Sequence, residues 1–146
     1  MTKPPMRSPR EKVGGLYHFG RMLDKIRLHL RGELPDEYKP NFGLQRSLDG
    51  LLAQFLNLTH EQIVARVHEG STDEEIAEWC FSKGLRPNEA QIAIWNSFAE
   101  KLGWRDRAAA TVEAVRKQTR RDDIVTIFDC IDANEGRLTP RSRVKA

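Results

Sequence analysis

From Leu16 to Arg31 the apolar residues Leu16, Phe19, Leu23, Ile26 and Leu30 recur at alternating steps of three and four. That spacing gathers side chains into one stripe on an α-helix, and it predicts a buried helix around which the rest of the chain is organised. Leu44, Leu48, Leu51, Leu52 and Phe55 keep helical spacing through Gly50. Thr59 to Gln62 and Thr72 to Glu75 have the form of capping boxes, in which a hydroxyl and a side chain three residues on satisfy free amides at a helix start. They open helices carrying Ile63, Val64 and Val67, then Ile76, Trp79, Cys80 and Phe81, which close near Gly70 and Gly84. Pro87 suits the first turn of the next helix, with Ile92, Trp95, Phe98, Ala99 and Leu102 on one side. Arg105 to Thr119 offers a shallower face of Ala108, Val112 and Val115. Asp122-Asp123 is expected at the start of a last helix, where negative charge complements the macrodipole; Ile124, Ile127, Phe128 and Ile131 follow. No apolar/polar alternation competes, and no fixed repeat suggests a solenoid. The expected class is all-α, a single irregular helical bundle of about six or seven helices with an extended N-terminal arm.

Prolines and charge divide the chain further. Residues 1–12, with three prolines, read as an extended basic arm; 13–136 form the helical domain; 137–146 form a basic C-terminal tail. Between the first two helices the segment GELPDEYKPNFG is a loop, whose Tyr38 and Phe42 are expected to plug the edge of a core. A length of 146 residues suits one domain. Hydrophobic and charged fractions of 39% and 31% suit a globular chain with a charged surface. The net charge of +3 with a pI near 9.0 is compatible with nucleic acid without demanding it. Cys80 and Cys130, far apart and inside apolar patterns, are expected to be reduced, buried thiols. The start lacks the apolar run of a signal peptide, and no window approaches the roughly 18 apolar residues a spanning helix needs. A cytoplasmic protein without membrane contact is expected.

The chemistry is sparse. His60 and His68 are eight apart on one helix and His18 and His29 are similarly distant, so neither pair shares a metal ion. No HExxH or three-ligand cluster appears, and neither metal nor cofactor is expected. GxSxG and phosphate-cradling loops are absent, and DCIDANEG lacks the spacing of a calcium loop. The sharpest constellation lies on the first helix. Tyr17, Arg21, Asp24 and Lys25 make a mixed-charge row with an aromatic flank; Arg21 and Lys25 repel unless an acid stands between them. Asp129 on the last helix, or an anionic ligand, would serve. Asp129 and Asp132, three apart, share a helix face where acid–base work is chemically feasible.

RSPREKVGGLYHFGRMLDKIR, then PNEAQIAIWNSF, then RRDDIVTIFDCID, in that order and spacing, resemble a bacterial family known as domain of unknown function 5069. The resemblance runs from about Arg7 to Asp132 and implies a small helical domain without supplying an activity. The leading expectation is a non-enzymatic binding or interaction module. Its polar site between the first and last helices, built from Tyr17, Arg21, Asp24, Lys25 and Asp129, would take a small anionic ligand or a partner peptide. One alternative is an enzyme with Asp24 or Asp129 as general base. A second is nucleic-acid binding through the basic termini.

Overall fold

The computed structural model describes residues 5–137. Among them are seven α-helices and one 3-10 turn, and no strand: α1 (Phe19–Leu30), the 3-10 turn (Asp36–Tyr38), α2 (Leu48–Phe55), α3 (His60–His68), α4 (Asp73–Lys83), α5 (Glu89–Lys101), α6 (Ala109–Thr119) and α7 (Ile127–Asn134). The all-α class is as expected. Two compact units divide the chain, Met1–Asn96 and Ser97–Ala146, and α5 runs through the division. The expected basic tail lies outside the described residues beyond Arg137, as does the arm before Pro5.

In the first unit α1 begins three residues later than the apolar spacing predicts. Gly14 and Gly15 both take positive φ, +60° and +82°, in a two-residue turn across which Val13 and Leu16 exchange backbone hydrogen bonds of 3.2 and 3.0 Å. His18, with φ +72°, turns the chain into the helix. Leu16 belongs to the buried stripe without being helical. The stripe also ends early, since Leu30 is 38% exposed.

The helix is covered on two sides. Leu16, Phe19, Met22, Leu23 and Ile26 are wholly buried, in the core to which α2, α3 and α4 add Leu52, Ile63 and Ile76. Leu28 packs with Met6 and Leu34 in a second cluster, edged by Tyr38 and Phe42 as expected of a plug. Each buried Leu, Ile or Phe contributes roughly 1.5–3 kcal/mol, so these two seams hold the unit together. They also bury the polar positions between them, and Arg21 and Lys25 are only 3% and 6% exposed. Buried charges need partners.

Local chemistry sets the remaining boundaries. The boxes at Thr59/Gln62 and Thr72/Glu75 form as read. A third joins Asn88 and Gln91 through two 2.8 Å bonds, so Pro87 stands before the N-cap of α5 and not in its first turn. α2 starts at Leu48, not Leu44, which is 49% exposed. In the second unit Val112, Ile124 and Cys130 form the core, with Val115, Ile127 and Ala133 around it. α7 starts at Ile127, so Asp122 and Asp123 precede it, and Asp123 pairs with Arg121 at 2.6 Å. Both cysteines are free and buried, and burial pushes their thiols up to about 12 for Cys80 and about 11 for Cys130.

Candidate functional site

Two polar networks run along α1, one to α2 through Lys25 and one to the arm and α4 through Asp24 and Arg27, and a cavity lies at its end beside His29. In the first network Asp49, the second residue of α2, is held by three donors. His18 Nε2 lies 2.7 Å from Oδ1, Lys25 Nζ 2.8 Å from Oδ2, and the Gly43 amide donates to Oδ2 over 3.1 Å. The carboxylate is wholly buried, and the histidine and lysine nearly so. Burial alone would raise the Asp49 carboxyl, but the hydrogen bond from His18 and the charge of Lys25 outweigh it and hold it below the ordinary range. An ionised Asp49 accepts only, so His18 donates from Nε2. Its Nδ1 is left buried with no hydrogen-bond partner among the described residues.

That arrangement fixes a pH response. Burial holds His18 below its ordinary value, Asp49 notwithstanding, with Lys25 and Arg21 adding repulsion. A histidine depressed in the folded state takes up its proton more readily when unfolded, so its stabilising contribution is present above about pH 6.5 and is lost as the pH falls below it. His60 is depressed by burial in the same direction. Stability by urea titration is expected to be flat from pH 8 to 7. It then declines toward pH 5.5, at up to about 1.4 kcal/mol per pH unit from His18. A curve flat to pH 5.5 would mean that His18 takes up its proton as readily in the native protein as in the unfolded chain.

The second network ties the arm down. The Arg7 guanidinium donates to Asp24 from Nε and Nη2, both at 2.9 Å, to Asp73 at 2.7 Å and to the Gly20 carbonyl at 3.1 Å. Its amide meets Asp24 as well, at 2.9 Å. Arg27 reaches the other oxygen of Asp73 at 2.8 Å. Against its burial, these bonds hold the Asp73 carboxyl below its usual range, and Asp24 leads in raising Arg7. Arg21 donates to the Arg7 carbonyl and stands 5.6 Å over the Tyr38 ring.

The polar row is therefore part of the internal bracing. The acid beside Lys25 is Asp49, which the sequence reading left out of the site, and the cation on Asp24 is Arg7. Tyr17 is clamped through its backbone, its amide donating to Asn96 Oδ1 and its carbonyl accepting from Trp95 Nε1. Lys12 covers its ring at 5.0 Å. Asp129 belongs to the second unit, where it closes a capping box: the Val125 and Thr126 amides donate to its Oδ2, and its amide donates to Thr126 Oγ1.

Beside Asp49 lies a cavity of about 650 Å³, within the size range of small-ligand sites. His29, Phe42 and His60 line it as one cluster of rings. His29 stacks on Phe42 at 4.4 Å and His60 meets Phe42 edge-on at 4.8 Å. Ala53, Leu58 and Val64 add apolar wall; Gln45, Gln54, Thr59 and Glu61 add polar groups. Nε2 of His60 is buried without a hydrogen-bond partner among the described residues. Tyr17, Arg21, Asp24 and Lys25 do not line this cavity. Among the described residues no three His, Cys, Asp or Glu side chains gather to hold a metal ion, and no helix is long and apolar enough to cross a membrane.

These features define an all-helical protein whose first unit holds a buried charge network beside an aromatic-walled cavity. The family model described as Domain of unknown function (DUF5069) matches residues 3–137. The chain belongs to that family, whose description assigns no activity. No curated protein matches the chain.

Proposed function

We propose that this domain is a small-molecule binding module and that its site is the cavity walled by His29, Phe42 and His60. The observation that carries the reading is a cavity large enough for a ligand, walled by His29, Phe42 and His60, with His60 Nε2 buried and without a hydrogen-bond partner among the described residues. A buried nitrogen left without a partner costs roughly 1–3 kcal/mol, a cost that a ligand able to reach it would offset. The polar row serves this site from behind: Asp49 orders Gly43 through its amide, and Gly43 and Gly50 are both lining residues.

The binding reading is preferred to catalysis by Asp24 or Asp129 because both carboxylates already accept from several donors. The carboxylates that their surroundings shift, Asp49 and Asp73 among them, are pushed down and not toward the raised values of a general acid. Thermal-shift screening against a metabolite panel tests the proposal, because a ligand at a hundred times its Kd adds about 2.7 kcal/mol to the native state. Val64→Trp, at a half-buried position, is expected to fill the cavity and abolish the shift, while Arg21→Ala keeps it. Hits that survive Val64→Trp and vanish in Arg21→Ala would return the site to the polar row.

A further inference from the structure

Resting on the reading that this cavity is the ligand site, we infer that its ligand is an uncharged planar heterocycle bearing an amide-like edge. The lining carries the argument. Phe42, with His29 stacked on it and His60 edge-on to it, puts three polarisable rings in the lining, beside which another aromatic ring gains about 0.5–1.5 kcal/mol beyond the area it buries. Two primary amides, Gln45 and Gln54, stand elsewhere in the lining. The Gln54 Nε2 donates to the Gln45 and Gly50 carbonyls, which holds that side chain in place.

The charges argue against an ion. Apart from the two histidines, Glu61 is the one ionisable side chain in the lining among the described residues, and it would repel a carboxylate or phosphate. Lys25, buried in the network beside the cavity, is already held by Asp49, and Lys39, which adjoins His29 and Phe42 in a neighbouring pocket, is paired with Asp36. Burial favours the neutral form of His60, so it would present one donor or one acceptor and no formal charge. A cationic ligand would have Glu61 as its partner, but Glu61 is exposed, and exposed pairs contribute only about 0–1 kcal/mol. What remains is a neutral ring whose edge alternates donor and acceptor, as in nicotinamide or a nucleobase.

Isothermal titration of the full chain with nicotinamide and hypoxanthine, beside nicotinate, benzoate and phenyltrimethylammonium, tests the class. The two neutral heterocycles are expected to bind at least tenfold more tightly than the three ions. His60→Phe keeps an aromatic ring and removes the unmet nitrogen. It is expected to unfold no earlier than wild type and to weaken the heterocycles roughly five- to tenfold. Equal or tighter binding of an ion overturns the ligand class while leaving the site standing, and so does a metabolite-panel hit when neither heterocycle binds. Unchanged heterocycle affinity in His60→Phe overturns the role given to its nitrogen. Binding that survives Val64→Trp would instead overturn the site on which the inference rests.

Discussion

Asp49→Asn is expected to cost about 3–5 kcal/mol, read as a drop in the urea midpoint at pH 7.5. The magnitude follows from what is left behind. Lys25 and His18 are both almost without solvent, and an amide cannot neutralise the ammonium. Against a typical total stability of about 5–15 kcal/mol, that is a large fraction. Exposed pairs such as Arg31 with Glu33 are different, and removing one would change little. The loss belongs to the unpaired charge and not to the packing. Asp49→Leu combined with Lys25→Met is therefore expected to recover most of it, since apolar replacement of a whole buried pair is often neutral or better. A single Asp49→Asn variant within 1 kcal/mol of wild type would show that the network carries no stability (~1 kcal/mol being the scale of an ordinary substitution).

Gly50→Ala is expected to destabilise by about 3 kcal/mol, although Gly50 lies in a helix, where alanine is intrinsically favoured by about 1 kcal/mol. The reason is contact. A Cβ on Gly50 would stand 2.3 Å from the Leu44 carbonyl oxygen and 2.4 Å from the Gln45 Cα. Both are backbone atoms that no rotamer change can clear, so the chain before α2 must move. Gly50 and Gln45 both line the cavity, so the variant is expected to lose ligand response as well as thermal midpoint. An alanine variant as stable as wild type would mean that this crossing yields without cost.

The sequence is most readable where structure is decided within a few residues. The boxes at Thr59 and Thr72 need only a hydroxyl and a long polar side chain three positions on, and both were plain. The same rule applied to Asn88/Gln91 and Thr126/Asp129 would have placed the starts of α5 and α7. Pro87 and Asp122-Asp123 suggest boundaries elsewhere. The polar residues of α1 are legible in the sequence, but their partners are not. Arg7 meets Asp73 across 66 positions and His18 meets Asp49 across 31, and no periodicity encodes such a pairing. One signal was available for Asp49: an acid beside Leu48, Leu51 and Leu52 in a short apolar helix, in a chain whose Lys25 lacked a local counter-charge. The cavity was illegible for a related reason. His29, Phe42 and His60 come from the end of α1, a loop and the start of α3, and only the folded backbone stacks them.

The clamp on Tyr17 has a consequence for how the protein is made. The glycine turn that launches α1 is held from the far end of its own unit, where Asn96 bonds the Gly15 carbonyl and the Tyr17 amide. During synthesis those groups wait for a helix that has not yet left the ribosome. Roughly 80 residues pass at about 5–20 per second, so the opening segment spends several seconds without its fastener. The nascent chain thus closes its first unit only once α5 has emerged.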